Sequence, residues 1–164
     1  MTIQVLATGS GWLGSGIESI QSNVIELIRN CKHELIIGSY SFGLGGLEII
    51  PQIEKALKRN VSVSIFINNF YQQDIIIQEE LKKLKRITLN MKIYNFKPTN
   101  SDDLHAKLII ADRTYAIIGS SNLSKRGFIS NHELAVLIKD REVSKIASAF
   151  DRLKLIQYVN EIEL

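Results

Sequence analysis

The sequence predicts an α/β fold, a mixed, largely parallel β-sheet flanked by helices on both faces, and three observations predict it. Short runs rich in Ile and Val alternate with stretches of helical period through the first half of the chain. These runs are apolar along their whole length rather than at every second position, as in strands covered on both faces. Clusters of glycine, proline and asparagine punctuate them.

Taken in order, Thr2 to Thr8 reads as a strand and Gly9 to Gly16 as a glycine-rich loop. Ile17 to Asn30 reads as a helix with its apolar stripe at Ile17, Ile20, Val24, Leu27 and Ile28. Glu34 to Phe42 is an apolar strand, and Gly43 to Gly46 a loop before a helix ending near Asn60. Pro51 fits that helix only in its first turn, where a missing N–H leaves no bond unmade. Val61 to Asn68 is the next strand, Gln73 to Arg86 the next helix and Asn90 to Phe96 a further strand. Lys97 to Asp103 forms a polar loop with Pro98, Asn100 and two aspartates. Strands then follow closely at His105 to Ala111, Tyr115 to Gly119 and Glu133 to Ile138, before a closing helix from about Glu142 to Tyr158. Ligands of such sheets sit at strand ends.

The 164 residues are read as one domain, 1–164, long enough to bury an apolar core. With 45% apolar and 23% charged residues the chain falls outside the disordered and fibrous classes. Cys31, the only cysteine, excludes an internal disulfide or a cysteine-based zinc cluster; it reads as a buried structural thiol in a reducing compartment. No apolar run has the length of a membrane span and Met1 to Val5 lacks a secretion signal, so a cytoplasmic location away from membranes is expected. A net charge of +3 with a pI near 9.0 permits a local cationic surface facing a polyanion.

The chemistry concentrates in Leu104-His105-Ala106-Lys107-Leu108-Ile109-Ile110-Ala111-Asp112, followed by Gly119-Ser120-Ser121-Asn122. His105 and Lys107 are two apart, so on an extended strand an imidazole and an ammonium project from one face. Histidine can attack phosphorus or move a proton near neutral pH, and lysine meets the added negative charge. The pair suits a phosphodiester, and neither task needs a metal or cofactor.

The pattern His105-x-Lys107-x4-Asp112-x6-Gly119-Ser120-x-Asn122 resembles the HKD motif of the phospholipase D superfamily, particularly its small bacterial nuclease-like members. Downstream, Asn131-His132-Glu133-Leu134-Ala135-Val136-Leu137-Ile138 is similar to the strand in which that family keeps a carboxylate behind its histidine, so the resemblance spans residues 104–138. It implies the phospholipase D-like fold and a phosphohistidine intermediate on His105 that water resolves. Full-length members carry two copies of the motif and this chain carries one. A single imidazole cannot both attack and protonate the leaving oxygen from the opposite side, so a second His105 from a symmetry partner is the expected acid, in a homodimer with one composite site.

Lys107 and Asn122 are expected to hold the nonbridging oxygens and Glu133 to accept a bond from the far nitrogen of His105. Ser120 either adds a hydroxyl to the phosphate or supports the Gly119 turn. Asp112, at the strand end, reads as a structural carboxylate bonding turn amides. His132 points to the other face of its strand and reads as a surface or interface residue. Lys125 and Arg126 are placed to meet a phosphate flanking the scissile one. The cationic run Lys82-Lys83-Leu84-Lys85-Arg86 reads as a solvated helix face, and Tyr40, Phe42 and Tyr71 as core residues before base-stacking ones.

Gly9-Ser10-Gly11-Trp12-Leu13-Gly14 matches the dinucleotide-binding fingerprint, but the acid that should close the second strand is missing: Glu34 opens it. The expected activity is a metal-independent endonuclease cleaving DNA. The alternatives are a phospholipase D-type lipid phosphodiesterase and a noncatalytic nucleic-acid-binding subunit partnering a helicase or a defence complex.

Overall fold

In the computed structural model, which describes residues 1–12, 14, 16–97 and 102–164, the apolar runs pair into a nine-stranded sheet. Leu13 of the glycine motif, and Pro98 and Asn100 of the polar loop, lie outside the described residues. The strands are β1 (Thr2–Thr8), β2 (Glu18–Ser19), β3 (Glu34–Ser39), β4 (Ser62–Asn68), β5 (Met91–Phe96), β6 (Leu108–Ala111), β7 (Tyr115–Gly119), β8 (Glu133–Lys139) and β9 (Val159–Glu161). Their order across the sheet is β2-β1-β8-β7-β6-β3-β4-β5-β9.

The sheet is mixed, as expected, but its parallel character is local. β3, β4 and β5 run parallel, as do β1 and β2. The remaining five pairings, among them the β6-β7-β8 meander and β8 with β1, are antiparallel. Only the first half has the long helical crossovers that parallel pairing needs; short turns join the later strands.

Helices α1 (Ile20–Asn30), α2 (Ile50–Lys58) and α3 (Ile75–Arg86) cover one face, burying Ile20, Val24, Ile53 and Leu81 against Leu35, Ile37, Ile65 and Ile109. α4 (Val143–Leu153) covers part of the other, where Val143, Ala147 and Phe150 meet Ile36, Phe66 and Ile110. α1 starts three residues later than its apolar period suggests, because Glu18 and Ser19 pair with Leu6 and Ala7 and the Ser19 hydroxyl then caps the helix at Ser22 N–H. Pro51 lies in the first turn of α2, and the Asp74 carboxylate caps α3 at Ile76 N–H.

Two expected elements are corrected. The closing helix stops at Leu153 instead of Tyr158: Val159 and Ile162 are buried, and β9 takes the open edge of β5 through Phe96↔Val159. The strand expected from His105 begins at Leu108, because its partner β3 ends at Ser39, whose hydroxyl turns back to the Ser41 carbonyl. One ladder bond extends further, from Gly119 N–H to Lys107 O at 3.2 Å.

Candidate active site

Antiparallel pairing brings the start of β6 beside the ends of β3 and β7, the start of β8 beside the end of β7, and the end of β1 beside the start of β8. One end of the sheet therefore collects Tyr40, His105, Lys107, Ser120, Glu133 and Thr8. Although residues 105–107 are not in the strand proper, their side chains stay together. Lys107 Nζ donates to His105 O at 2.8 Å and lies 3.2 Å from His105 Nδ1.

Tyr40 backs the pair. Its ring meets the His105 imidazole edge to face at 4.6 Å between centroids, and Lys107 Nζ sits 5.2 Å from its centre, within cation–π range. Burial pulls the Lys107 ammonium below the ordinary lysine value, against the opposing attraction of the Glu133 carboxylate. Sequence reading had set Tyr40 in the core before giving it a ligand role; its contact with His105 depends on the β3–β6 pairing, which no local signal announces.

Glu133 does not reach His105 as expected. Its two oxygens accept from Ser120 Oγ and from Asn131 Nδ2, the latter at 3.0 Å. Ser120 follows Gly119, which pairs with Ala135, so the hydroxyl stands beside the start of β8; Asn131 is two residues before Glu133 and shares its side of the chain. That spacing of two was the readable signal for Asn131. His105 Nδ1 instead faces Lys107. Ser120 also ties β7 to β8, accepting from Leu134 N–H at 3.3 Å.

Gly119 is required by the close passage of β8: a Cβ there would come within 2.5 Å of the Leu134 carbonyl oxygen. Asn122 is half-buried on the loop leaving β7, and its side-chain oxygen is buried with no hydrogen-bond partner. Lys125 and Arg126 are exposed on the same loop, where a π-helical turn Arg126–Ser130 begins. Neither has an ion-pair partner among the described residues, whereas Lys82, Lys83 and Lys85 are matched with Glu79, Glu80 and Glu161.

Asp112 lies at the opposite end of β6, away from the imidazole. Its carboxylate accepts from the amides of Lys32, His33 and Glu34 at 2.7–3.3 Å and from the Cys31 thiol. Burial alone would raise its pKa, but the amide bonds outweigh that and hold it below the ordinary aspartate value. Burial of the Cys31 thiol, and then the nearby Asp112 carboxylate, push its pKa up to about 12, leaving it protonated and inert.

The glycine loop does not lead directly into a helix. A 3₁₀ turn (Ser10–Trp12) and β2 intervene before α1, so among the described residues no helix N-terminus faces the loop to receive a pyrophosphate. The loop packs on the start of β8 instead. Gly11 N–H donates to His132 Nε2 at 3.0 Å, which gives that exposed histidine a structural task.

Comparisons with known proteins bear on the family and the fold. A family model described as "Cardiolipin synthase, PLD-like domain" matches residues 24–154. Cardiolipin synthase A of Buchnera aphidicola is 29% identical over 153 residues, covering 92% of this chain and 30% of that protein. This chain thus spans under a third of that relative's length. The DISARM protein DrmC of Bacillus paralicheniformis is 25% identical over 163 residues, covering 98% of this chain and 67% of DrmC. Among solved structures, the phospholipase D family member Nuc from Salmonella typhimurium superposes with a TM-score of 0.78 at 20% identity, covering 99% of both chains.

Proposed function

The chain belongs to the PLD-like domain family, an enzyme family of the phospholipase D superfamily, and on that premise we propose that it is a metal-independent phosphodiesterase that cleaves DNA. The observation that carries this is the His105–Lys107 pair, an imidazole held against an ammonium at a sheet end with unpaired Lys125 and Arg126 nearby. An imidazole whose Nδ1 accepts from Lys107 carries its one proton on Nε2, so that proton must move to Nδ1 before Nε2 can attack, and a second imidazole must carry both protons to act as the acid. When a phosphate oxygen draws the ammonium away, Nδ1 is free to take the proton and Nε2 becomes the nucleophile. Attack on phosphorus forms the phosphohistidine as the P–O bond to the leaving oxygen breaks. A second imidazole protonates that oxygen, then deprotonates the water that resolves the intermediate. Lys107 and the Asn122 amide hold the nonbridging oxygens through both steps.

The second imidazole is the partner's copy of His105 in a homodimer. The uncovered part of the sheet supports this. Ile3, Val5 and Leu134 are 53%, 49% and 45% exposed, and Val5 lies opposite Val136. This apolar face runs up to Leu134, beside Glu133, and a second copy covers it in a twofold assembly that joins the two sites.

DNA is favoured over lipid because exposed Lys125 and Arg126, without ion-pair partners among the described residues, are placed to meet a phosphate flanking the scissile one. Among the described residues, no helix is long and apolar enough to cross a membrane, and we place the protein in the cytoplasm. The test is turnover of plasmid DNA, RNA and phosphatidylcholine by the purified protein with excess chelator. DNA cleavage that survives chelation is expected; lipid turnover alone, or a requirement for magnesium, contradicts the proposal. His105→Ala should lower cleavage at least ~10³-fold while DNA binding persists. A second reading rests on the likeness to DrmC along nearly the whole chain: a nucleic-acid-binding subunit of a defence or helicase complex. Unchanged DNA binding with no cleavage by the wild type would favour it.

A further inference from the structure

We propose that the pocket beside the glycine loop binds one unstacked nucleobase of the strand being cleaved, an inference that rests on the nuclease reading above. The pocket holds about 340 Å³ and is lined by Thr8, Ser10, Trp12, Ser19, Phe128 and Ile129 among others, none of them charged. It lies at the small end of ligand pockets and is not built for a phosphate.

Its place relative to the site is fixed by register. Thr8 pairs with Glu133 across β1 and β8, so the two Cβ atoms are roughly 5 Å apart, about the span from a phosphate to its own base. Phe128 lines both this pocket and the small interior space bordered by Lys107 and Ser121. A nucleotide whose phosphate sits at Lys107 therefore has this pocket within reach of its base.

The loop that presents Trp12 is pinned on two sides. Gly9 has φ +115° and passes so close to β8 that a Cβ there would lie 2.7 Å from the Asn131 carbonyl oxygen, while Gly11 N–H is bonded to His132. The indole also meets the His132 ring edge to face at 6.4 Å. An aromatic face held in place loses little freedom when a base stacks on it, and such stacking accepts every base. Thr8 supplies the polar half: it is 6% exposed, and its hydroxyl oxygen is buried with no hydrogen-bond partner. A hydroxyl both donates and accepts, so it matches purine and pyrimidine edges alike. An acyl chain would leave that hydroxyl unanswered, which favours a base over a lipid tail.

The test uses Trp12, the only tryptophan, as its own reporter. His105→Ala protein is titrated with an oligothymidylate and with a sugar–phosphate strand of equal length lacking bases, and wild-type cleavage of DNA is followed in parallel. The base-bearing strand is expected to shift Trp12 fluorescence and to bind about tenfold more tightly than the abasic one. Thr8→Val, which keeps the shape of the side chain, and Trp12→Ala, whose binding is read from the anisotropy of an end-labelled strand, should each shrink that advantage and leave abasic binding unchanged. Equal affinity for the two strands, or an unmoved Trp12 signal, overturns the pocket; continued cleavage in that case leaves the nuclease reading standing. A fluorescence response to phosphatidylglycerol vesicles but to neither strand, with no cleavage, overturns both.

Discussion

At the scale of single residues, the motif divides its labour between the two ends of one strand. His105 and Lys107 are the pair proposed to carry the chemistry; Asp112 fastens the loop between α1 and β3. Because the folded protein holds the Asp112 carboxylate below its ordinary value, its stabilisation is complete above the unfolded value near pH ~4 and is lost as pH falls through the folded one. Asp112→Ala, which leaves the Lys32, His33 and Glu34 amides without their acceptor, should cost about 2 kcal/mol at neutral pH and flatten the acid limb of the stability profile, measured by denaturant unfolding between pH 3 and 7. Lys107 has the opposite sign. Burial disfavours its charge, so Lys107→Met should abolish cleavage yet raise the melting temperature slightly; a clear fall would show that the ammonium is structural. These roles were legible to different depths. The spacing His105-x-Lys107 announced the side-chain pair that the structure brings together, and the position of Asp112 at a strand end announced a carboxylate bonded to backbone amides. The partners of Glu133 were not legible, because Ser120 reaches it only through the β7–β8 register.

At the scale of elements, the hairpin between β6 and β7 shows how the site is aimed. Asp112 and Arg113 both have positive φ, near +54° and +53°, and Thr114 N–H closes on Ala111 O at 3.1 Å. Two non-glycine residues hold this mirror-image turn because each side chain is anchored, Asp112 on three amides and Arg113 on Glu34 and Asp151. The turn sets the β6–β7 register and thereby places Gly119 and Ser120 level with Lys107. Gly119→Ala should separate β7 from β8, costing about 2–3 kcal/mol and more than tenfold in activity, as measured by thermal unfolding and cleavage on the same protein. Periodicity in the sequence located every long helix and all but the two short strands. It erred at α1 and α4, where tertiary pairing by Ser19 and Val159 outbid helical propensity, and it could not tell parallel from antiparallel partners in the second half.

At the scale of the whole molecule, one face of the sheet is covered by three helices, and the other only in part by α4. The remainder, Ile3, Val5 and Leu134 with their neighbours, is the surface through which two copies join on the proposed reading. Val5→Asp should therefore yield a monomer that keeps its fold by circular dichroism and loses cleavage. A folded, dimeric and active Val5→Asp protein would move the interface elsewhere. The one-motif sequence already called for a second copy, since one imidazole cannot serve both sides of the phosphorus; the surface proposed to meet it rests on the uncovered face that β1 and β8 form side by side.

The central claim, that two copies of His105 complete one site, is tested most directly by coexpressing wild-type and His105→Ala chains in graded ratios and measuring cleavage per total protein. Activity falling as the square of the wild-type fraction is the predicted result. A linear fall, each wild-type chain working alone, would contradict it.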